Sequence, residues 1–187
     1  MRLLDAARTL FTERGYAATS TEELVREVGV TRGALYHHFD GKQAIFEAVF
    51  LALEEEFAET ARRIAVPSQS AWDNLQAGCR AFLDMCLRPD VQRIVLLDGP
   101  AVLGPGRWRE IEDVYALAPL VLGLTGAMRD GVIVTRPAAP LARMLLAAIN
   151  EGGLFIAQAD EPEAARNEVG EAFDVILNGL RVRNSPD

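Results

Sequence analysis

Residues 19–42, Thr-Ser-Thr-Glu-Glu-Leu-Val-Arg-Glu-Val-Gly-Val-Thr-Arg-Gly-Ala-Leu-Tyr-His-His-Phe-Asp-Gly-Lys, constrain the fold of this chain more than any other stretch, because they read as two short helices joined by a tight turn. Ser20-x-x-Glu23 is a capping-box candidate for the first helix, with Thr19-x-x-Glu22 as a rival register. Leu24, Val25 and Val28 form the apolar face of that helix, Gly29 ends it and Val30 plugs the turn. Thr31 caps the second helix, which runs to about Phe39 before Asp40-Gly41 breaks the chain. On this second helix Leu35 and Phe39 take the inner face and leave a small, polar outer one.

That outer face has the chemistry of a helix lying in a DNA groove. A helix-turn-helix braces one helix on the DNA backbone and inserts the other into the major groove. Gly33 and Ala34 keep the surface low, so the backbone can approach base edges. Arg32 can span guanine O6 and N7, and the methyl of Ala34 suits a thymine methyl. Tyr36, His37 and His38 can donate to phosphates or base edges. The helix starts at Thr19, Ser20, Thr21 and Lys42 offer N–H groups, hydroxyls and one ammonium to phosphates. Adjacent histidines on one helix point about 100° apart and do not converge on a metal. The chain has no other histidine, so neither a metal nor a cofactor is expected.

The remaining pattern is helical throughout. Leu3, Leu4, Ala7, Leu10 and Phe11 recur at i, i+3/i+4 over 2–14, and Gly15 follows as a left-handed cap. A long helix is expected from about Lys42 to Ala65, with Ile45, Phe46, Val49, Phe50, Leu53 and Phe57 on its apolar side. Further helices are expected at about 70–87, from Pro89 to about 98, at 107–130 with a kink at Pro119, at 138–159 and at 162–181. Gly99 to Gly106, with its two prolines, reads as a loop or broken turn, and Gly131 to Pro137 as a linker. No period-2 alternation and no internal repeat is visible. The expectation is an all-α protein of about nine helices: a three-helix helix-turn-helix domain over 1–45 and a helical bundle over 46–187.

Composition bears on partners and location. The net charge is −8, which argues weakly against nucleic acid. Residues 1–48 hold six Lys/Arg against seven Asp/Glu, whereas residues 49–187 hold thirteen against twenty. The acidity therefore sits mostly outside the groove-reading segment, where placed cations and helix N-termini can outweigh the global sign. No apolar run reaches the ~18 residues of a membrane span, and Asp5 and Arg8 interrupt any signal-peptide core. A cytoplasmic protein with no membrane partner is expected. Cys79 and Cys86 fit no redox or zinc spacing and read as buried small side chains.

The stretch from Phe11-Thr-Glu-Arg-Gly-Tyr-Ala-Ala-Thr-Ser-Thr-Glu-Glu-Leu-Val through Gly-Val-Thr-Arg-Gly-Ala-Leu-Tyr-His-His-Phe-Asp-Gly-Lys-Gln-Ala-Ile-Phe resembles the N-terminal domain of TetR-family transcriptional regulators. The likeness covers residues 3–50. It implies an all-helical homodimer with a small DNA-binding domain and a larger effector-binding domain. It also implies that Arg32, Gly33, Ala34 and Tyr36 lie toward bases, and that Thr19, Ser20, Tyr36, His37, His38 and Lys42 lie toward phosphates. Members of that family often carry a basic tail before the first helix, whereas this sequence begins almost at the helix. Residues 94–113 look like one actinobacterial-type branch of such regulators, a likeness that names no ligand.

The function these readings point to is a ligand-responsive regulator, a repressor released from a palindromic double-stranded operator by a small hydrophobic molecule. Trp72, Phe82, Met85, Trp108, Tyr115, Met128 and Asn150 are the candidates to line its effector pocket; packing in the core explains any single aromatic or Met among them more cheaply. Glu54-Glu55-Glu56 reads as a solvated helix face. Gly152 and Gly153 interrupt an apolar helix at about 1 kcal/mol each, which suits a close helix contact such as a dimer interface. Wide apolar stripes including Leu145, Ile149, Ile156, Phe173, Ile176 and Leu177 point to dimerisation through the last two helices. An enzyme is the competing class, but no convergent nucleophile and base and no phosphate loop is visible. A helical adaptor that binds only protein is the third.

Overall fold

The computed structural model describes the backbone of residues 2–29 and 31–182, and of Arg2, Val28, Arg32, Ala34 and Tyr36 the backbone alone. The expected roles of Val28 and Val30 in the turn lie outside the described residues. Among the described residues there is no strand; Ile133 and Arg181 form an isolated antiparallel bridge.

Helix α1 (Arg2–Ala18), α2 (Thr21–Val28) and α3 (Arg32–His38) form the N-terminal layer on the first half of α4 (Gly41–Ile64). Alpha-helical geometry in α1 breaks at Gly15, with φ 78° and ψ 168°. The φ is positive as expected of a cap, but the ψ is extended, so the chain kinks and continues as one more turn. The φ of 78° favours glycine there, and the Arg93 guanidinium packs into the space a Cβ would take. Of the two cap registers, the Ser20–Glu23 box forms: Glu23 N donates to Ser20 Oγ and Ser20 N donates to Glu23 Oε2. Gly29 closes α2 in the left-handed conformation. Phe11, Tyr16 and Phe46 meet in mutual edge or tilted contacts at centroid distances of 5.2–5.9 Å, with Ala7, Leu24, Leu35 and Ile45 buried around them.

The second layer holds α5 (Ala71–Met85), α6 (Gly99–Glu112), α7 (Ala118–Arg129), α8 (Ala138–Gln158) and α9 (Pro162–Asn178). Two π-helical segments, Val91–Asp98 and Asp113–Leu117, join α6 to its neighbours, so Val91–Arg129 is one continuous helical run. Of the two readings of 99–106, a loop is corrected and a broken turn survives as the kink at Gly104, and the merged run leaves fewer separate helices than the nine or so anticipated. Pro100 falls in the first turn of α6, where its missing N–H is harmless. Gly104, at φ 75° and ψ 164°, supplies the break before Pro105. Pro119 lies in the first turn of α7, directly after the π-helical segment Asp113–Leu117.

The linker 131–137 is tied to the end of α9 by Val134 N to Leu180 O and Val182 N to Val132 O. By length and mean hydropathy, Val91–Arg129 and Ala138–Gln158 could each cross a membrane; in this fold their Leu124, Ala127, Ile149 and Ile156 are buried in the helical core.

Packing does not divide at residue 45. Val91, Ile94, Val95, Leu103 and Ile111 share one buried cluster with α1, α2, α3 and α4. The Gly152–Gly153 pair is explained inside the chain rather than across a dimer. A Cβ at Gly152 would meet Val169 Cγ1 of α9 at 2.6 Å, and one at Gly153 would meet Cys86 Sγ at 3.0 Å. Cys79 and Cys86 are free and buried, and burial pushes both thiols up to about 12.

Candidate functional site

Two regions carry the candidate side chains: the outer face of α2 and α3, and a cavity between α4 and the second layer. On α3, Leu35 is buried at 1% exposure and anchors the helix, while Thr31, Gly33, His37 and His38 are exposed. The two imidazoles stack edge to face at 5.1 Å. A Cβ at Gly33 would meet nothing within 4 Å, so the surface there is open. The side chains of Arg32, Ala34 and Tyr36 lie outside the described residues. Ser20 caps α2, and the Thr21 hydroxyl donates to Glu22 Oε2 at 3.3 Å.

Two of the expected phosphate ligands are engaged inside the domain. Thr19 is buried, and its hydroxyl donates to Gly15 O at 2.8 Å and to Leu10 O at 3.3 Å. It locks the α1–α2 corner rather than facing solvent. Lys42 Nζ donates to Tyr16 O at 2.7 Å and Thr19 O at 2.8 Å, and sits 4.1 Å over the Tyr16 ring. Its ammonium ties the start of α4 to the end of α1, where carbonyls lack helical partners.

Behind this face, charged pairs join the two layers. Arg8 donates to Glu56 of α4 and to Asp90, and Arg88 donates to the same two carboxylates. The Arg8 hydrogen bond leads the causes that hold the Glu56 carboxyl below its ordinary range. Burial works against ionisation of Asp90, but hydrogen bonds from Arg88 and Arg8 outweigh it and keep that carboxyl low as well. Asp98 accepts from Tyr16 N at 2.7 Å and from Arg93 Nε at 3.2 Å, so the first π-helical segment is bolted to the kink of α1.

The cavity, about 600 Å³, lies between α4, α5, both π-helical segments, α6, α7 and α8. Phe57, Leu75, Phe82, Val95, Leu120 and Leu146 supply apolar wall, and Trp108, Tyr115 and Asn150 also line it. A recess of about 400 Å³ adjoins it through Trp108, Glu112 and Asn150 and adds Arg109 and Arg143. Of the seven sequence candidates, Phe82, Trp108, Tyr115 and Asn150 face this space. Trp72 does not: it is 1% exposed in the core of the second layer, and its indole N–H has no hydrogen-bond partner among the described residues. Met85 packs on the N-terminal cluster and Met128 on the second-layer core, so both fill gaps between helices rather than line the cavity.

Glu54 and Glu112 were not anticipated as cavity residues. Glu54 lines the wall, and burial, reinforced by the charge of Glu112, raises its carboxyl to about 7. Glu112 accepts from Asn150 Nδ2 at 2.6 Å, and burial outweighs that bond and raises its carboxyl too. The solvated-face reading of 54–56 thus holds for Glu55, which is exposed and paired with Arg62 at 2.6 Å. Glu56 is also solvated, at 40% side-chain exposure, while paired with Arg8 and Arg88, so the reading fails for Glu54 alone of the three. One sequence signal could have found Glu54: it interrupts the apolar row Phe50–Glu54–Phe57–Ala61 at helical spacing.

The dimer stripes also need correction. Leu145, Ile149, Ile156, Phe173 and Leu177 fill the chain's own core. The apolar groups left exposed on α8 and α9 are Met144 at 72%, Phe155 at 55%, Val175 at 72% and Ile176 at 47%.

Known proteins share both regions. Residues 3–49 match the model of bacterial regulatory proteins of the tetR family, and residues 72–180 match the tetracyclin repressor-like C-terminal domain. The Transposon Tn10 TetC protein of Escherichia coli is 28% identical over 115 residues, 60% of this chain and 55% of that protein. The HTH-type transcriptional repressor KstR2 of Rhodococcus jostii is 33% identical over 75 residues, 40% of this chain and 37% of that protein. The chain thus spans about half or less of the length of these curated relatives. A solved structure of a TetR-family regulator from Pectobacterium atrosepticum superposes with a TM-score of 0.83 at 33% identity, covering 97% of this chain and 93% of that one. FadR from Bacillus subtilis, solved in complex with stearoyl-CoA, shares the fold at a TM-score of 0.76 and 20% identity, covering 92% and 96%. One match spans α1 to α3 and the other spans α5 to α9, more than half of the chain, and the chain belongs to the TetR family of bacterial transcriptional regulators.

Proposed function

We propose that the protein is a cytoplasmic, dimeric repressor that leaves a palindromic operator when a small molecule fills the cavity. One observation carries the reading. Helix α4 starts at Lys42, bonded to the end of α1, and its later turns form cavity wall at Glu54, Phe57 and Ala61. A single rigid element therefore touches both the groove-reading domain and the ligand space. A ligand that favours one placement of α4 shifts the population competent for DNA in proportion to its differential affinity for the two states. Residues 1–45 carry the reading head, and the rest carries effector binding and dimerisation. Exposed Met144, Phe155, Val175 and Ile176 supply an apolar face for a second copy. Two α3 helices related by a two-fold would then read half-sites about 34–36 Å apart.

Arg32, Gly33, Ala34 and Tyr36 toward bases, with Ser20, Thr21, Thr31, His37 and His38 toward phosphates, form the proposed contact set. Thr19 and Lys42 hold the domain that presents them. The test is operator binding by fluorescence anisotropy across a salt series. Arg32→Ala should cost about 1–3 kcal/mol on the operator and relax specificity. Unchanged operator affinity in Arg32→Ala, or a stable monomer by light scattering at micromolar concentration, would sink the reading.

A further inference from the structure

Glu54 is a feature of the cavity that the apolar walls do not explain. It makes neither a hydrogen bond nor an ion pair among the described residues, although its helix neighbour Glu56 has two arginines and Glu55 has one. Glu112 reaches the same space from α6, with one of its oxygens satisfied by Asn150. Glu112 also takes a hydrogen bond from Trp108 and feels the charge of Arg143, whereas no cation pairs with Glu54 among the described residues. Arg62 on the cavity rim is paired with Glu55, Arg143 is paired with Asp113 at 2.5 Å, and Arg109 is exposed in the adjoining recess. Glu151 adds a third acid to the wall. Two carboxyls set in an apolar hollow repel each other and lose hydration unless an opposite charge joins them. Trp108, Tyr115 and Phe57 supply aromatic faces to the same space, and such faces attract cations. The volume suits a drug-sized guest.

We propose that the cavity binds an amphipathic cation, an apolar or aromatic body of drug-like size whose amine, amidine or quaternary ammonium head sits between Glu54 and Glu112. This rests on the reading of the cavity as the effector site. The guest's charge replaces the missing partner of Glu54, and its body covers the walls contributed by Phe82, Leu120 and Leu146. A guest with an anionic head meets the two carboxyls instead and is disfavoured. Binding draws a proton off Glu54 near neutral pH, since the cation favours the ionised carboxylate.

The test uses the full-length protein and three probes of matched chain length: decyltrimethylammonium, decyl alcohol and decanoate, each below its micelle-forming concentration. Titration calorimetry at pH 8 should find the cation bound roughly tenfold or more tighter than either other probe. Glu54→Gln should abolish that preference, Glu112→Gln should reduce it, and Glu55→Gln on the exposed side of the same helix should leave it intact. At pH 7 the heat of cation binding should vary with the ionisation enthalpy of the buffer, reporting proton release, and in Glu54→Gln that dependence should shrink. Because Gln keeps the size of Glu, a thermal melt of each variant separates lost charge from lost fold. Equal or tighter binding of decanoate or decyl alcohol overturns the inference, as does an undiminished cation preference in a folded Glu54→Gln. Operator anisotropy separates this inference from the effector reading. Cation binding that leaves operator affinity unchanged supports the inference and sinks that reading, whereas release triggered by decanoate supports that reading and overturns the inference.

Discussion

Thr19 and Glu54 are both polar side chains set among apolar neighbours, one at the corner of the N-terminal region and one in the wall of the cavity. The Thr19 hydroxyl is satisfied by two carbonyls of its own domain. The Glu54 carboxyl has no hydrogen-bond or ion-pair partner among the described residues, and burial raises it to about 7. The same contrast runs through each region. In the N-terminal layer, Lys42, Ser20 and Glu23 close their polar groups on local backbone, and three aromatic rings fill the centre. Around the cavity, residues of α4, α5, both π-helical segments, α6, α7 and α8 enclose about 600 Å³. A reading head has to be rigid before it meets DNA, whereas a ligand site has to leave something for the ligand to complete.

The sharpest way to break this contrast is to compare aromatic truncations in the two regions. Phe46 is fully buried between Phe11 and Tyr16, so Phe46→Ala should lose about 3–5 kcal/mol in urea unfolding. Phe57 already borders empty space, and Phe57→Ala should lose clearly less. Equal losses would mean that the cavity wall is as closed as the N-terminal core.

Glu54→Gln has the next largest effect, and its sign depends on pH. A carboxyl whose folded-state pKa is raised from 4.5 to about 7 holds an extra proton in the folded state between those values. Its contribution is therefore favourable at low pH and is lost as pH rises from 4.5 through about 7. Partial solvent access tempers the size, so the variant should gain about 2 kcal/mol over the parent at pH 8. The stability curve of Glu54→Gln should also be flatter across that window, with a residual slope from Glu112, whose carboxyl is raised as well. A variant less stable than its parent at pH 8 would mean that Glu54 has a partner in solution.

Lys42→Ala probes the other region. It leaves Tyr16 O and Thr19 O without their ammonium donor and should cost about 1–2 kcal/mol of stability. The salt slope of DNA binding should stay unchanged if those carbonyls keep the ammonium in the complex. A slope reduced by about 1 would return Lys42 to the phosphates. The smallest effect belongs to the exposed Arg62–Glu55 pair, where Arg62→Ala should shift stability by no more than about 0.5 kcal/mol.

The helix-turn-helix was legible because its instructions are local. The Ser20–Glu23 box, the Gly29 cap and the inward Leu24 and Leu35 each act within a few residues of their own position. The cavity was half legible. Phe82, Trp108, Tyr115 and Asn150 were found by residue type, but the same criterion also picked Trp72, Met85 and Met128, which pack elsewhere. Residue type reports that a side chain is apolar or bulky; it does not report whether the facing helix arrives or leaves a gap. Glu54 was misread for a related reason. A run of three glutamates on a helix resembles a solvated face until the partner helices show which third of the turn they cover.

The sequence by itself determined the all-helical class and the positions of the helix-turn-helix breaks, since both depend on periodicity and short-range hydrogen bonding; the family was legible through the resemblance of residues 3–50 to a known motif. Only the tertiary structure decided that Glu54, Glu112 and Asn150 share one space and that Glu56 belongs to an ion-pair network with Arg8, Arg88 and Asp90. It also decided that the prolines and glycines of 99–106 lie within a helical run. Those facts join residues far apart in the chain, and the energy that decides them is burial and charge between helices, which no local window contains.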